Sequence, residues 1–268
     1  MEVNQKTHRT IQEYWEDPDT VSIIDQNLHK LEIDAVCAHL KQSDYLADFG
    51  CGNAEATIEY ARRVKNVFAM ERSNCLRNIA LENVLRSNLT NIKIDPGDLV
   101  QLNNIQPVYD VIVTQRCLIN MPTWEDQKKV IMNIYYSLKP GGRYIMVENT
   151  NEAFQRLNQM RDELGLKLIP KHWHNLFFDY PKLMNFMGDN FRLLKEYDFS
   201  LYYFLTRVYT QMYASFEGFG IKAQKDAIFE KSDKTARMLY EKYHDAIKFK
   251  DAISIIQVFV FEKKDEKR

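Results

Sequence analysis

Residues 45–55 read "YLADFGCGNAE": a short apolar run ending at Phe49, with Gly50, Cys51 and Gly52 directly behind Asp48. A run of this kind suits a short buried strand, and the following "ATIEYARRV" has the spacing of a helix. Glycine in a strand-to-helix turn lets backbone amides and a ligand touch, because no Cβ intervenes. Two nucleotide classes use such a turn. A dinucleotide site wants G-x-G-x-x-G, whose third glycine brings helix against strand beside the pyrophosphate. Here Glu55 holds the third position. A carboxylate there opposes phosphate where a helix N-terminus should offer only positive potential. The spacing disfavours a nicotinamide dinucleotide and leaves open a nucleoside cofactor without phosphate.

Further strands are expected at 66–70 ("NVFAM"), 91–95 ("NIKID"), 109–114 ("YDVIVT") and 143–148 ("RYIMVE"). The segments "NCLRNIALENVLRSN" and "WEDQKKVIMNIYYSL" read as helices, the second stopped by Lys139-Pro140-Gly141-Gly142. Upstream, apolar residues at 24, 28, 31, 35 and 38 predict a helix within 20–42. Strands alternating with helices of this length imply a parallel sheet covered on both faces. Residues 195–207 and 250–264 read as two long strands that pair antiparallel at one edge. The expected fold is α/β: a Rossmann-like, seven-stranded, mostly parallel sheet with one antiparallel edge strand, helices on both faces and helical cap insertions. A single domain over 1–268 is expected, with an N-terminal helical lid (1–42), a core (43–150) and caps at 151–190 and 208–248.

The chain has 268 residues, 45% hydrophobic and 12% aromatic, enough for a sizeable core. A formal charge of -1 supplies no global field for nucleic acid or anionic membrane. Cys37, Cys51, Cys75 and Cys117 form no C-x-x-C pair, which suits a reducing cytoplasm. The polar N-terminus lacks an apolar signal core, and no apolar run is long enough to span a bilayer. A cytoplasmic protein with no membrane or nucleic-acid partner is expected, and only the final "KKDEKR" reads as disordered.

Five segments in order resemble the class I S-adenosylmethionine-dependent methyltransferases: "DFGCGN" (48–53), "FAMERS" (68–73), "DPGDLVQL" (95–102), "YDVIVTQRCLINMP" (109–122) and "LKPGGRYIMVE" (138–148). The resemblance implies S-adenosylmethionine as cofactor and S-adenosylhomocysteine as product. It assigns Asp48, Gly50, Cys51 and Gly52 to the cofactor turn, and Glu71, with Arg72 beside it, to the ribose. Asp98 and Leu99 correspond to the adenine clamp, and Gln115 to the adenine edge. A carboxylate suits the ribose because it accepts from both hydroxyls.

Acceptor-side candidates lie elsewhere. "KHWHN" (171–175) clusters two histidines with Trp173 and Asn175, and His174 is the candidate base, ahead of His172. The bland reading has Trp173 plugging the core while the histidines face solvent. An H-x-H metal site lacks an acidic partner, so no metal is expected. Arg116, at the carboxyl end of a central strand, favours a phosphate or carboxylate on the acceptor; the bland reading pairs it with Glu148. Asn120 stands where the family often has histidine. Tyr14 and Trp15 read either as a lid over the cofactor or as a staple for the first helix.

Residues 112–180 as a whole resemble methyltransferases of bacterial surface-polysaccharide (capsule) pathways. That resemblance implies O-methylation of a small anionic or sugar-linked acceptor, of the nucleotide-sugar or phosphorylated-metabolite type. The alternatives are a methyltransferase of another small metabolite, or a non-catalytic S-adenosylmethionine-binding or dehydrogenase-like subunit.

Overall fold

The computed structural model describes residues 10–17, 19–20, 24–102, 105–216 and 222–264. Of the expected disordered "KKDEKR" (263–268), Lys263 is instead buried at the end of the last strand, and the residues beyond Lys264 lie outside the described residues.

Five strands run parallel in the first part of the sheet: β1 (Tyr45–Phe49), β2 (Asn66–Glu71), β3 (Ile92–Pro96), β4 (Tyr109–Gln115) and β5 (Leu138–Asn149). With β6 (Phe191–Asp198) and β7 (Ile256–Lys263) the order is β3-β2-β1-β4-β5-β7-β6. The antiparallel strand is β7, one place in from the edge and paired to both β5 and β6. Leu46, Ile112, Val113, Ile145 and Val260 are fully buried, as expected of a sheet covered on both faces.

The helices are α1 (Ile11–Trp15), α2 (Gln26–Cys37), α3 (Glu55–Ala61), α4 (Asn74–Ser87), α5 (Trp124–Ser137), α6 (Asn151–Glu163) and α7 (Tyr180–Asn190). The cap adds α8 (Ser200–Tyr203), a π-helical stretch (Phe204–Tyr209), α9 (Thr210–Phe216) and α10 (Lys222–Tyr243). Side-chain caps start several of them: Asp25 accepts from Leu28 N–H in α2, Ser73 from Leu76 N–H in α4, and Thr123 from Asp126 N–H in α5.

Two local expectations are corrected. The helix expected within 20–42 begins at Gln26, so Ile24 lies outside it and is 86% exposed. The strand expected over 195–207 is β6, which ends at Asp198. Asp198 accepts from both the N–H and the hydroxyl of Ser200, which turns the chain into helix, and the aromatic run that follows packs as α8. Period-two apolar patterning in a tyrosine-rich stretch does not distinguish the two states.

The parallel arrangement places the carboxyl ends of β1 to β4 at one edge, and the functional cleft opens there.

Candidate functional site: a nucleoside-cofactor cleft

β1 ends at Phe49, and the N–H groups of Gly50 and Cys51 both donate to Met70 O, at 2.8 and 3.1 Å. The turn is thereby pinned over the end of β2. Gly50 has φ +82°, and a Cβ there would sit 2.3 Å from Cys117 Sγ. Gly52 has φ +56°, yet a Cβ there would meet nothing within 4 Å. One glycine is required by packing; the other borders open cleft. Glu71 then closes the turn: its Oε2 accepts from Gly52 N–H at 2.9 Å and its Oε1 from Ser73 N–H at 2.8 Å. Burial raises the Glu71 carboxyl, opposed by these N–H donations. Asp48, wholly buried, accepts from the Thr57 hydroxyl at 2.5 Å; burial pushes its carboxyl up to about 7.

The cleft is open to solvent, spans about 1100 Å³ of empty space with that opening included, and follows the strand order. At one end, past β3, stand Gly97, Asp98 and Leu99; Asp98 accepts from Val100 N–H at 2.9 Å and faces Arg72 at 3.9 Å. At the other, past β4, stand Gln115, Arg116, Cys117 and Asn120, with His29 of α2 beside them. Gln12 and Trp15 of α1 also line it. The Trp15 indole donates to Asn120 Oδ1 at 3.3 Å, and the Ser73 hydroxyl donates to Trp15 O at 2.9 Å. Glu16 caps α4 by accepting from the N–H groups of Asn74 and Cys75, at 2.9 and 3.1 Å. The N-terminal segment is thus tied to both ends of the glycine-turn region.

Behind Gln115 lies a buried polar network. Gln115 donates to Glu32 Oε2 at 2.5 Å and faces His29 Nδ1 at 3.2 Å, while the Tyr60 hydroxyl donates to Gln115 Oε1 at 3.3 Å. Arg116 (φ +51°) places Nη2 3.1 Å from Glu32 Oε2 and 3.2 Å from His29 Nδ1. Burial, the largest single influence, would raise the Glu32 carboxyl, but the Arg116 charge and the polar contacts of His29 and Gln115 together hold Glu32 below its ordinary value. The expected Arg116–Glu148 pair is therefore replaced by Arg116–Glu32. Glu148 instead accepts from the N–H groups of Cys117, Leu118 and Ile119, at 3.0, 2.7 and 3.4 Å. That carboxylate is turned to the backbone, and burial pushes it up to about 8.

Residues 46–142 match the family model described as a methyltransferase domain. Over that stretch the chain is similar to methyltransferase domains. Curated relatives include the ubiquinone/menaquinone biosynthesis C-methyltransferase UbiE of Vibrio vulnificus, 24% identical over 139 residues, 50% of this chain and 52% of the relative. UbiE of Vibrio parahaemolyticus is 25% identical over 140 residues, with the same coverage. The chain spans about half the length of the curated relatives it matches. Among solved structures, the N-methyltransferase NodS of Bradyrhizobium japonicum, in complex with S-adenosyl-L-homocysteine, aligns with TM-score 0.58 at 11% identity, covering 96% of this chain and 97% of that one. The [4+2]-cyclase SpnF aligns with TM-score 0.57 at 20% identity, covering 94% and 86%. At such identities the two structures share the fold.

The cleft brings together Asp48, Gly50, Cys51, Gly52, Glu71, Arg72, Asp98, Leu99, Gln115, Arg116 and Asn120. Tyr14, His172, Trp173, His174 and Asn175 do not line it. Tyr14 instead packs against His174 with tilted rings (centroids 4.3 Å apart) and meets Trp173 edge-on. The bland expectation for "HWHN" holds for the exposed His172 but is inverted for the other two: Trp173 is 62% exposed and His174 is 7% exposed. His174 is enclosed by Tyr14, Trp15, His172 and Trp173. Burial, with His172 adding to it, lowers its pKa, and its Nδ1 is buried without a hydrogen-bond partner. Asn175 N–H donates to His172 O, closing the loop. Among the described residues no cluster of three His, Cys, Asp or Glu could hold a metal ion, and no helix is long and apolar enough to cross a membrane.

His29, Gln12, Met70, Ser73 and Gly97 also line the cleft, and none of them is among the residues expected there. Gly97 carried a signal: a Cβ there would sit 2.3 Å from Met70 Sδ, so the chain beside Asp98 needs glycine. His29 carried none, because a polar residue on an amphipathic helix reads as solvated.

Proposed function

We propose that this chain transfers a methyl group from S-adenosylmethionine to a small acceptor held at the β4 end of the cleft, with O-methylation of an anionic or sugar-linked molecule as the reaction. The observation that carries this reading is the order of groups along one sheet edge: Asp98 and Leu99, then Glu71, then the glycine turn, then Arg116. Asp98 and Leu99 hold adenine, Glu71 the ribose, and the open space beside Gly52 admits the cofactor against the backbone. The cofactor supplies an already activated methyl group when bound. The protein's part is alignment: the acceptor atom is brought in line with the methyl carbon at about 3 Å and water is excluded. Trp15 and Gln12 supply that exclusion.

Arg116 is the cation on the acceptor side, its side chain 23% exposed, and it supports an anionic acceptor group. Asn120 orients it from the backbone side, donating to Arg116 O at 2.7 Å. His174 acts by holding Tyr14 and Trp15 rather than by removing a proton, since it stands outside the cleft wall. The resemblance of residues 112–180 supports a surface-polysaccharide or capsule acceptor. The names of the UbiE relatives favour a second reading, transfer to carbon.

Mass spectrometry tests the reading. The protein and S-adenosylmethionine are incubated with nucleotide-sugars, phosphorylated metabolites and quinone-type phenols. Gain of one methyl group by a sugar-linked or anionic member, with release of S-adenosylhomocysteine, is expected. Methylation confined to ring carbons of the phenols contradicts the acceptor assignment.

A further inference from the structure

His29 sits on α2 with its side chain 5% exposed, in the wall of the cleft. Its Nδ1 lies 3.2 Å from Gln115 Nε2 and 3.2 Å from Arg116 Nη2. Both partners are donors only, so Nδ1 must accept and the ring proton belongs on Nε2. Glu32 Oε2 is 3.7 Å from Nδ1, beyond hydrogen-bond reach, and does not call for a proton there. Nε2–H is then a buried donor with no hydrogen-bond partner. The carboxylate facing it, Glu55 Oε2, is 3.8 Å away, too far to bond, on a side chain 42% exposed. An unmade buried hydrogen bond costs about 1–3 kcal/mol, so a fixed orphan donor in a ligand cleft asks for an acceptor.

The strand order indicates which acceptor. With adenine at the end of β3 and ribose at the end of β2, a ligand continuing along the sheet edge reaches β1 and then β4. Neighbouring strands are about 4.8 Å apart, roughly the distance from the sulfonium to the far end of its amino-acid chain. His29 stands against Gln115 and Arg116 at the end of β4, where that chain terminates.

We infer that His29 is a binding residue for the methyl donor: its Nε2–H donates to the carboxylate of the amino-acid end, with Gln115 and Arg116 fixing the tautomer that makes this possible. This rests on the reading that the cleft binds S-adenosylmethionine. Glu55, exposed on the first turn of α3, yields its place opposite Nε2 to the ligand carboxylate.

The test compares S-adenosylhomocysteine with 5′-methylthioadenosine, which keeps the nucleoside and thioether but lacks the amino-acid chain. Titration calorimetry on the whole protein is the measurement, with thermal melts to confirm folding. His29→Phe removes the donor and is expected to weaken S-adenosylhomocysteine about tenfold or more, the worth of a hydrogen bond to a charged group. Methylthioadenosine should change less than about threefold, since it offers no carboxylate. His29→Gln keeps an N–H of similar reach and should restore most of the lost affinity. Equal weakening of both ligands, or no weakening of either, overturns the inference. An acceptor carboxylate as the true partner would show as this second outcome. Failure of the wild-type protein to bind S-adenosylhomocysteine would instead overturn the cofactor reading, and the inference with it.

Discussion

The Glu71 carboxylate accepts the backbone N–H of Gly52 at 2.9 Å, so the proposed ribose-binding acid also holds the glycine turn in place. Glu71→Ala removes both functions. S-Adenosylhomocysteine affinity is expected to fall by one to two orders of magnitude, given about 1.5–3 kcal/mol for each hydrogen bond to a charged group. Calorimetry on the folded variant checks this. Unchanged affinity would place the ribose elsewhere.

The two glycines of the turn separate stability from binding. Gly50→Ala drives a Cβ into Cys117 and should lower the melting temperature markedly. Gly52→Val meets no protein atom at its Cβ but enters the cleft. It should fold with a strain cost of about 1–2 kcal/mol for the left-handed backbone and lose most cofactor binding. Thermal melts beside calorimetry on both variants decide it. A Gly52 variant that binds normally contradicts the assignment of the turn.

The expected cofactor residues come together in one cleft because each lies at the end of a strand, where local pattern and topology agree. Asp48 to Gly52, Glu71, Asp98 and Gln115 all follow apolar runs, and a parallel sheet brings such ends to one edge. What was not legible depends on packing between distant segments. His29 and Glu32 look like the polar face of α2, yet both are buried because β4 presents Gln115 and Arg116 to that face. The Arg116 partner was misplaced for the same reason: Glu148 is spent on three backbone N–H groups. Trp173 and His174 exchanged their expected environments because α1, 160 residues earlier, supplies the rings that cover His174.

His174 is expected to act on the lid. A ring pair is worth about 0.5–1.5 kcal/mol beyond its buried area, so His174→Ala should weaken S-adenosylhomocysteine about two- to tenfold by loosening Tyr14 and Trp15. Tryptophan fluorescence of the unliganded variant should shift as Trp15 gains solvent. A variant with normal affinity and spectrum but a turnover loss of about 10²-fold or more would restore His174 as a base.

Stability should depend on pH through Glu148, pushed up to about 8 by burial, and Asp48, pushed up to about 7. Both folded values lie above the unfolded ones, so the folded chain binds more protons across the interval between. Their contribution is complete in acid, below the unfolded carboxylate range, and is lost as pH rises through about 7 and 8. Glu148→Gln, which keeps a carbonyl oxygen for Cys117 and Leu118, should flatten the decline between about pH 4.5 and about pH 8. Melting temperatures over that range check it, and identical slopes in the two proteins would contradict the assignment.

The central claim is that the glycine turn, Glu71 and Asp98 serve a nucleoside cofactor without phosphate, with Glu55 set against a pyrophosphate. Titration calorimetry of the purified protein with S-adenosylhomocysteine and, separately, NAD⁺ tests it most directly. Saturable one-to-one binding of S-adenosylhomocysteine with no heat from NAD⁺ is the predicted result. Binding of NAD⁺ without S-adenosylhomocysteine would contradict it.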